Sequence, residues 1–213
     1  MEEDKEREPL TYGSVLGLIE EHGGPEGLNL RGMNLMGIEF LPNDDLHGII
    51  FTGANLRRAR FLRTNLQGAI FTNAKLEKAD LGLANLQKAN LTLASLEEAH
   101  FENADLQEAN LTSANLRKAD LSWANLSKAR LYNAQISQET RLENVNWGPK
   151  YILGEERSKD FRAAVSVYRM LERWYEEAGF RRLASEFAIR KHRARRKAIG
   201  GEALRKFKEV FHR

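Results

Sequence analysis

Four residues spaced twenty apart form the set that most resembles a reaction site: Arg60, Asp80, His100 and Asp120. A histidine between two carboxylates can serve as a general base or as part of a weak metal site. On an exposed wall without a pocket, the same set is better interpreted as an ordinary ladder of surface charges. The sequence contains no glycine-rich phosphate loop, no zinc-ligand spacing and no nucleophile motif. We therefore predict that the protein is not an enzyme and uses no metal and no cofactor.

A five-residue period explains how side chains twenty residues apart could meet. From Leu46 to Ile136 a large apolar residue stands at every fifth position. Two positions before it stands a small residue, which is alanine from Ala54 to Ala134 except at Thr64. Neither a helix nor a flat strand places residues five apart on one face. The period therefore predicts stacked coils, each with four sides of five residues.

The apolar residues of this period are predicted to line the inside of the coils. The period begins at Leu30, and a six-residue step between Phe40 and Leu46 indicates one inserted residue at a corner. The resulting solenoid has about 5.5 coils. The predicted core contains Phe40, Phe51, Phe61, Phe71, Leu81, Leu91, Phe101, Leu111, Leu121 and Leu131.

The repeated units also carry a recognisable motif. Residues 54–58, 79–83 and 109–113 read Ala-Asn-Leu-Arg-Arg, Ala-Asp-Leu-Gly-Leu and Ala-Asn-Leu-Thr-Ser. The chain thereby resembles the pentapeptide-repeat proteins over slightly more than half of its length. The resemblance implies an all-β solenoid, a right-handed quadrilateral β-helix, to which we add helical ends. It also implies an alternative function, because gyrase-directed members of the family mimic the shape and negative charge of DNA.

Charge and breaker residues divide the chain into three parts. Residues 1–26 are predicted to form an acidic arm and a helical cap, residues 27–147 the β-helix, and residues 148–213 a basic helical subdomain. Residues 1–50 carry 3 basic and 11 acidic side chains, whereas residues 137–213 carry 19 basic and 11 acidic ones. Between them, residues 51–136 carry 11 basic and 8 acidic side chains, which argues against a DNA mimic.

The C-terminal part is predicted to contain a linker at 148–157 and a helix that begins near Ser158 and ends near Glu177. A second helix then runs from about Phe180 until Gly200 and Gly201 end it. This region also resembles the helical tail of bacterial family members that continue into membrane helices. Its apolar stripes suggest a homodimer formed through the C-terminal end.

Two surfaces are candidates for binding. Leu83 and Trp123 are assigned to one outer wall and Tyr132 to the adjacent wall, where they would pack under the helical tail or meet a protein partner. The second surface is a basic patch for anionic lipid or another polyanion, with a solvated helix end as the simpler alternative. Nucleic acid is disfavoured because no aromatic residues are interleaved with the arginines. The patch consists of Arg190, Lys191, Arg193, Arg195, Arg196, Lys197, Arg205, Lys206 and Lys208.

The sequence thus predicts a non-enzymatic, rigid scaffold for protein interactions, associated with a membrane surface through its basic tail. A gyrase-binding DNA mimic is the alternative. The chain has no cysteine, which excludes disulfides and mildly favours the cytoplasm. No apolar run approaches the roughly 20 residues of a membrane span.

Overall fold

A computed structural model describes residues 8–211, with side chains described from residue 8 to residue 201. Helix α1 (Tyr12–His22) precedes a long stretch of stacked coils. A 3₁₀ turn (Pro149–Tyr151) and three helices follow the coils: α2 (Gly154–Arg157), α3 (Phe161–Glu177) and α4 (Arg181–Phe211). The segment expected to be a linker therefore contains the 3₁₀ turn and α2.

The coils are held together by parallel bridges between residues one coil apart. Most bridges join residues separated by twenty positions, such as Asp80 with His100 and His100 with Asp120. Each side of a coil contributes a single bridge residue, so regular strands do not form between residues 8 and 211. The predicted solenoid stacking is present, whereas the term all-β overstates the strand content. The coil count of about 5.5 and the right-handed sense stay predictions.

A tight turn forms the corner after each inner apolar residue. The Ala54 N–H donates to the Phe51 carbonyl (3.0 Å), which closes a four-residue β-turn. The third residue of this turn has a left-handed backbone, as at Gly53 (φ 65°) and also at Leu83 (φ 57°) and Trp123 (φ 63°). This geometry costs roughly 1–2 kcal/mol for a residue other than glycine. It aims the side chain at that position outward and leaves the following alanine inside the coil.

All ten residues predicted to line the core are buried. At the N-terminal end the phenylalanines stack in columns: the Phe40 and Phe61 rings lie 5.1 Å apart, and the Phe51 and Phe71 rings lie 5.2 Å apart. Alanines such as Ala104 are also buried, two positions before the large residues. The interior therefore has room for one large and one small side chain per side.

Two one-residue insertions interrupt the twenty-residue spacing. The first is the expected one, because the bridge spacing changes from 21 between Glu39 and Arg60 to 20 between Asp45 and Asn65. The second lies before Arg141, which bridges Asp120 at a spacing of 21. The sequence analysis followed the five-residue period only as far as Ile136. The period resumes beyond this residue, with Leu142 and Trp147 buried.

Thr140 takes the place of the small residue in this last part of the solenoid. Its hydroxyl donates to the Leu116 carbonyl (2.9 Å) and accepts from the Ser137 N–H (2.9 Å). These bonds satisfy the polar groups of a buried threonine at a position that is alanine in most other units. They fix the inserted corner at residues 137–140.

Helix α1 covers the first coil. The Thr11 hydroxyl accepts from the Ser14 N–H (3.2 Å) at the start of the helix, and left-handed Gly23 ends it. Val15 is buried, and the Tyr12 ring meets the edge of the Phe40 ring at a centroid distance of 6.0 Å. The helix thus shields the apolar end of the solenoid.

Two boundaries in the helical part differ from the sequence prediction. Helix α3 is capped by Asp160, whose side chain accepts from the Ala163 N–H, so the helix begins at Phe161 rather than near Ser158. Helix α4 continues through Gly200 and Gly201, which were expected to end it. Neither glycine takes a left-handed backbone. Each costs the helix about 1 kcal/mol relative to alanine, which is too little to terminate it.

Candidate interaction surfaces

The histidine column has the geometry of a charge ladder. Bridges stack Arg60, Asp80, His100 and Asp120 as the twenty-residue spacing predicts. However, His100 Nδ1 lies 3.6 Å from Glu102, a neighbour on the same coil, and this pair is about half exposed. No cluster of metal-binding side chains occurs among the described residues. The exposure of the column and its pairing with a neighbouring carboxylate are typical of surface charges.

Asp120 differs from the rest of the column because it is nearly buried. Arg141 Nη1 contacts its carboxylate at 2.6 Å, and the Ser122 N–H donates to it at 2.9 Å. Burial alone would raise the Asp120 pKa, but the bonds from Ser122 and the charge of Arg141 outweigh burial and lower it. This ion pair joins the last part of the solenoid to the regular coils across the second insertion.

The three outward apolar residues do not form one surface. Trp123 is 62% exposed, so it does not pack under the helical tail. Leu83 is 46% exposed and lies at the same corner, two coils away. Tyr132 is 38% exposed and belongs to a turn half a coil further along the chain, at the opposite corner. Two five-residue sides separate the turns, and the assignment of Tyr132 to the adjacent wall stays a prediction.

The helical part completes the hydrogen bonding of the last coil. In earlier coils the Leu111 N–H donates to the Arg130 carbonyl of the next coil (2.8 Å). At the equivalent Leu131 and Tyr132, Glu155 Oε1 of α2 accepts from both backbone N–H groups, at 2.5 and 2.8 Å. The side chain thus replaces the missing next coil. Burial raises the pKa of the Glu155 carboxyl despite these bonds.

Two aromatic residues of α3 donate hydrogen bonds to backbone carbonyls in the last part of the solenoid. The Tyr175 hydroxyl donates to the Leu142 carbonyl (2.9 Å) and accepts from the Trp147 indole N–H (2.8 Å). The Trp174 indole donates to the Ser137 carbonyl (3.2 Å). Because both residues are buried, α3 is bound to the end of the solenoid by polar and apolar contacts together.

Part of the predicted basic patch lies on the inner face of α4, which packs against the rest of the protein. Lys197 Nζ lies 2.7 Å from the buried Glu156 carboxylate, and Arg190 Nη1 lies 3.8 Å from it. Lys191 forms an ion pair with Glu172 of α3. Burial alone would raise the Glu156 pKa, but hydrogen bonds and positive charge, chiefly from Lys197, lower it. These three cations hold α4 in place within the protein.

The outer face of α4 carries the other basic residues. Arg193, Arg195 and Arg196 are exposed and form no ion pair with a carboxylate between residues 8 and 201. Helical spacing places exposed Ile189 (45%) and Ile199 (59%) on this same side. The sequence analysis missed these two isoleucines, although their spacing from the arginines was visible. The side chains of three further predicted patch residues lie outside the described residues: Arg205, Lys206 and Lys208.

The stacked coils turn a corner every five residues, and one residue at each corner has a left-handed backbone conformation. Together with the helices that cover both ends, this arrangement defines a repeat solenoid. The family model for pentapeptide repeats matches the chain in 8 copies over residues 45–82, 71–103, 78–112 and 104–138. A solved pentapeptide repeat protein, Rfr23 from the cyanobacterium Cyanothece 51142, is 30% identical with a TM-score of 0.51. That match covers 60% of this chain and 97% of Rfr23. The chain therefore belongs to the pentapeptide-repeat family.

Two other solved structures show weaker similarity. The pentapeptide repeat protein alr5209 from Nostoc PCC 7120 is 23% identical over 64% of this chain and 100% of its own, with a TM-score of 0.42. QnrB1, a plasmid-mediated fluoroquinolone resistance protein, is 17% identical over 56% of this chain and 84% of its own, with a TM-score of 0.36. A search of curated proteins gave no match. Of these three solved structures, only Rfr23 is similar enough to support the family assignment, together with the match to the family model.

Proposed function

We propose that the protein is a non-enzymatic, rigid interaction scaffold that attaches to an anionic membrane surface through the outer face of α4. The observation that carries the proposal is that this face combines exposed isoleucines with arginines that form no ion pair with a carboxylate between residues 8 and 201. Membrane-surface helices combine these two residue types, with apolar side chains entering the interface and cations meeting the headgroups.

The distribution of charge supports this orientation. Residues 137–213 carry 19 basic and 11 acidic side chains, whereas residues 1–50 carry 3 basic and 11 acidic ones. An anionic surface would attract the C-terminal end and repel the N-terminal end, so the solenoid would stand away from the membrane. Each arginine near such a surface contributes about 1 kcal/mol, so Arg193, Arg195 and Arg196 together contribute roughly 3 kcal/mol.

The architecture supports a scaffold role. Side-chain caps occupy both ends of the solenoid, with α1 over the first coil and Glu155, Trp174 and Tyr175 against the last. Capped ends prevent edge-to-edge pairing and leave the outer walls available to partners. Within the described residues, no helix is both long and apolar enough to cross a bilayer. Attachment through α4 would therefore lie in the interface.

The test is co-sedimentation of the full chain with vesicles of phosphatidylcholine alone and with added phosphatidylserine. We expect salt-sensitive binding to the anionic vesicles, and loss of most of that binding in the triple variant Arg193→Gln, Arg195→Gln, Arg196→Gln. A truncation after Lys150 is unsuitable, because it removes Glu155 and Tyr175 from the last coil.

A matched control removes three cations from the solenoid: Arg58→Gln, Arg63→Gln and Lys88→Gln. These side chains are exposed at turn positions, so the variant loses the same charge at a distance from α4. The proposal predicts that this control retains vesicle binding. Equal loss of binding in both variants would indicate a nonspecific charge effect, and no binding at low salt would exclude the membrane proposal.

A DNA-mimicking gyrase inhibitor remains the alternative, but the solenoid supports it poorly. Such a mimic needs rows of outward carboxylates, whereas residues 51–136 carry 11 basic and 8 acidic side chains. The bridge column that contains Asp80 and Asp120 also contains Arg60 and His100. Inhibition of gyrase supercoiling by the purified chain would favour this alternative.

A further inference from the structure

A second basic surface lies at the C-terminal end of the solenoid, apart from the outer face of α4. It is a groove of about 520 Å³ between α3 and the corner at residues 136–138. Ile136, Met170 and Trp174 supply apolar lining, while Arg169 and Arg173 supply positive charge. The one-residue insertion at this corner and the bond from the Trp174 indole to the Ser137 carbonyl shape the groove.

The groove has positive charge available for a ligand. Arg169 is exposed and forms no ion pair with a described carboxylate. Arg173 contacts Glu177 at 2.8 Å, but this pair is exposed and joins neighbours on one helix. Exposed pairs of this kind are weak and exchange readily for another carboxylate. The groove therefore fits an acidic segment that also carries an apolar side chain.

The chain itself contains such a segment at its opposite end. Residues 1–8 read Met-Glu-Glu-Asp-Lys-Glu-Arg-Glu, with five acidic residues, two basic residues and one methionine. Glu8 is exposed in the structure. The segment leads directly into the N-terminal cap, where the Leu10 N–H donates to the Asn34 carbonyl (2.8 Å).

The two ends also share one wall of the solenoid. Asn34 and Gln135 lie in the same bridge column, five bridge steps apart, which corresponds to about 24 Å. The groove begins at Ile136, immediately after Gln135. Residues 1–8 span at most about 26–29 Å when fully extended, so reaching the groove of the same chain would require almost complete extension along the wall, whereas binding to a second copy imposes no such length.

We infer that the acidic segment 1–8 of one copy binds the groove of another, giving head-to-tail association of the protein. The contact joins two different surfaces, so it is heterologous and can continue from copy to copy. It uses α3 and the last corner, so it is independent of the vesicle-binding face on α4.

The experiment is sedimentation velocity of the full chain over a range of concentrations at low and high salt. We expect the sedimentation coefficient to rise with concentration at low salt, and this association to weaken in high salt because the contact is ionic. Arg169→Glu with Arg173→Glu should weaken the association at least about tenfold. Arg193→Glu with Arg195→Glu makes the same charge change on α4 and should leave it unchanged.

The decisive experiment reverses the charges of the acidic segment and of the groove in two separate variants. The variant Glu2→Lys, Glu3→Lys, Asp4→Lys should not associate with itself, but it should associate when mixed with the Arg169→Glu, Arg173→Glu variant. Far-ultraviolet circular dichroism checks that each variant keeps its fold. A protein that stays monomeric at every concentration would overturn the inference, and so would association without rescue in the mixture, which would indicate a dimer through the C-terminal ends alone.

Discussion

The repeat coils and the helical cap satisfy the same backbone groups by different means. In the coils, the Leu111 N–H donates to a carbonyl of the next coil, and the pattern recurs from coil to coil. At the last coil, the carboxylate of Glu155 accepts from Leu131 and Tyr132 instead. The coils depend on a backbone pattern that many sequences can maintain, whereas the cap depends on a few individual side chains. The cap should therefore be the more sensitive region to single substitutions.

The largest effect is expected at Tyr175, which is fully buried between the last coil and α4. Tyr175→Ala removes an aromatic ring and its hydroxyl bonds, so unfolding should become easier by about 3–5 kcal/mol. Tyr175→Phe keeps the ring and should cost about 1–3 kcal/mol, because the Leu142 carbonyl and Trp147 indole lose their partner. Urea unfolding measures both. Equal costs would contradict the assignment of part of the stability to the hydroxyl.

The next effect concerns Glu155. Glu155→Ala should destabilise the protein by about 1–3 kcal/mol for each backbone N–H left without a partner. Glu155→Gln keeps an acceptor oxygen and should cost less. Unfolding of all three proteins in urea at one pH gives this ranking, and an alanine variant as stable as the glutamine variant would refute the capping role.

The pH dependence of the Glu155→Gln variant tests the raised pKa of this carboxyl. Burial raises the folded pKa above the ordinary value of 4.5, so the folded protein binds the proton more tightly than the unfolded chain does. The contribution of Glu155 is therefore fully present below pH 4.5 and is lost as pH rises through the folded pKa. Relative to the wild type, Glu155→Gln should become progressively more stable over that interval. A stability difference that does not change with pH would contradict the burial of an ionisable group.

The smallest effects are expected when glycines of the two regions are replaced by alanine. Gly200→Ala and Gly201→Ala should each stabilise α4 by about 0.5–1 kcal/mol, because open space surrounds both positions. Gly53→Ala should destabilise the solenoid by about 1 kcal/mol, because the turn holds this residue at φ 65°. Amide hydrogen exchange measures the α4 variants and urea unfolding measures the solenoid variant. A change of the same sign at all three glycines would contradict the difference in backbone conformation.

The regular part of the molecule could be predicted because its signal repeats. Nineteen apolar residues in register from Leu46 to Ile136 leave little choice of coil geometry. The second insertion was missed because a threonine replaces the expected alanine at residue 140. The role of Glu155 could not be predicted, since a single carboxylate that replaces a missing coil has no period. The division of the basic patch between two faces of α4 could have been predicted from the sequence. Leu183, Phe187 and Ala194 continue one apolar stripe along α4, which places Arg190 and Lys197 on the inner side.

Both insertions lie at the ends of the solenoid, so the coils between Asp45 and Gln135 keep a constant spacing of twenty residues. Each of these coils presents the same backbone to the coil above and to the coil below. A duplication or deletion of twenty residues in this interval would therefore leave both caps in contact with their present neighbours. The separation between the acidic and basic ends can change only in increments of about 4.8 Å, without a change in their relative orientation to the walls. Gene duplication could therefore change the length of the solenoid without redesign of either end.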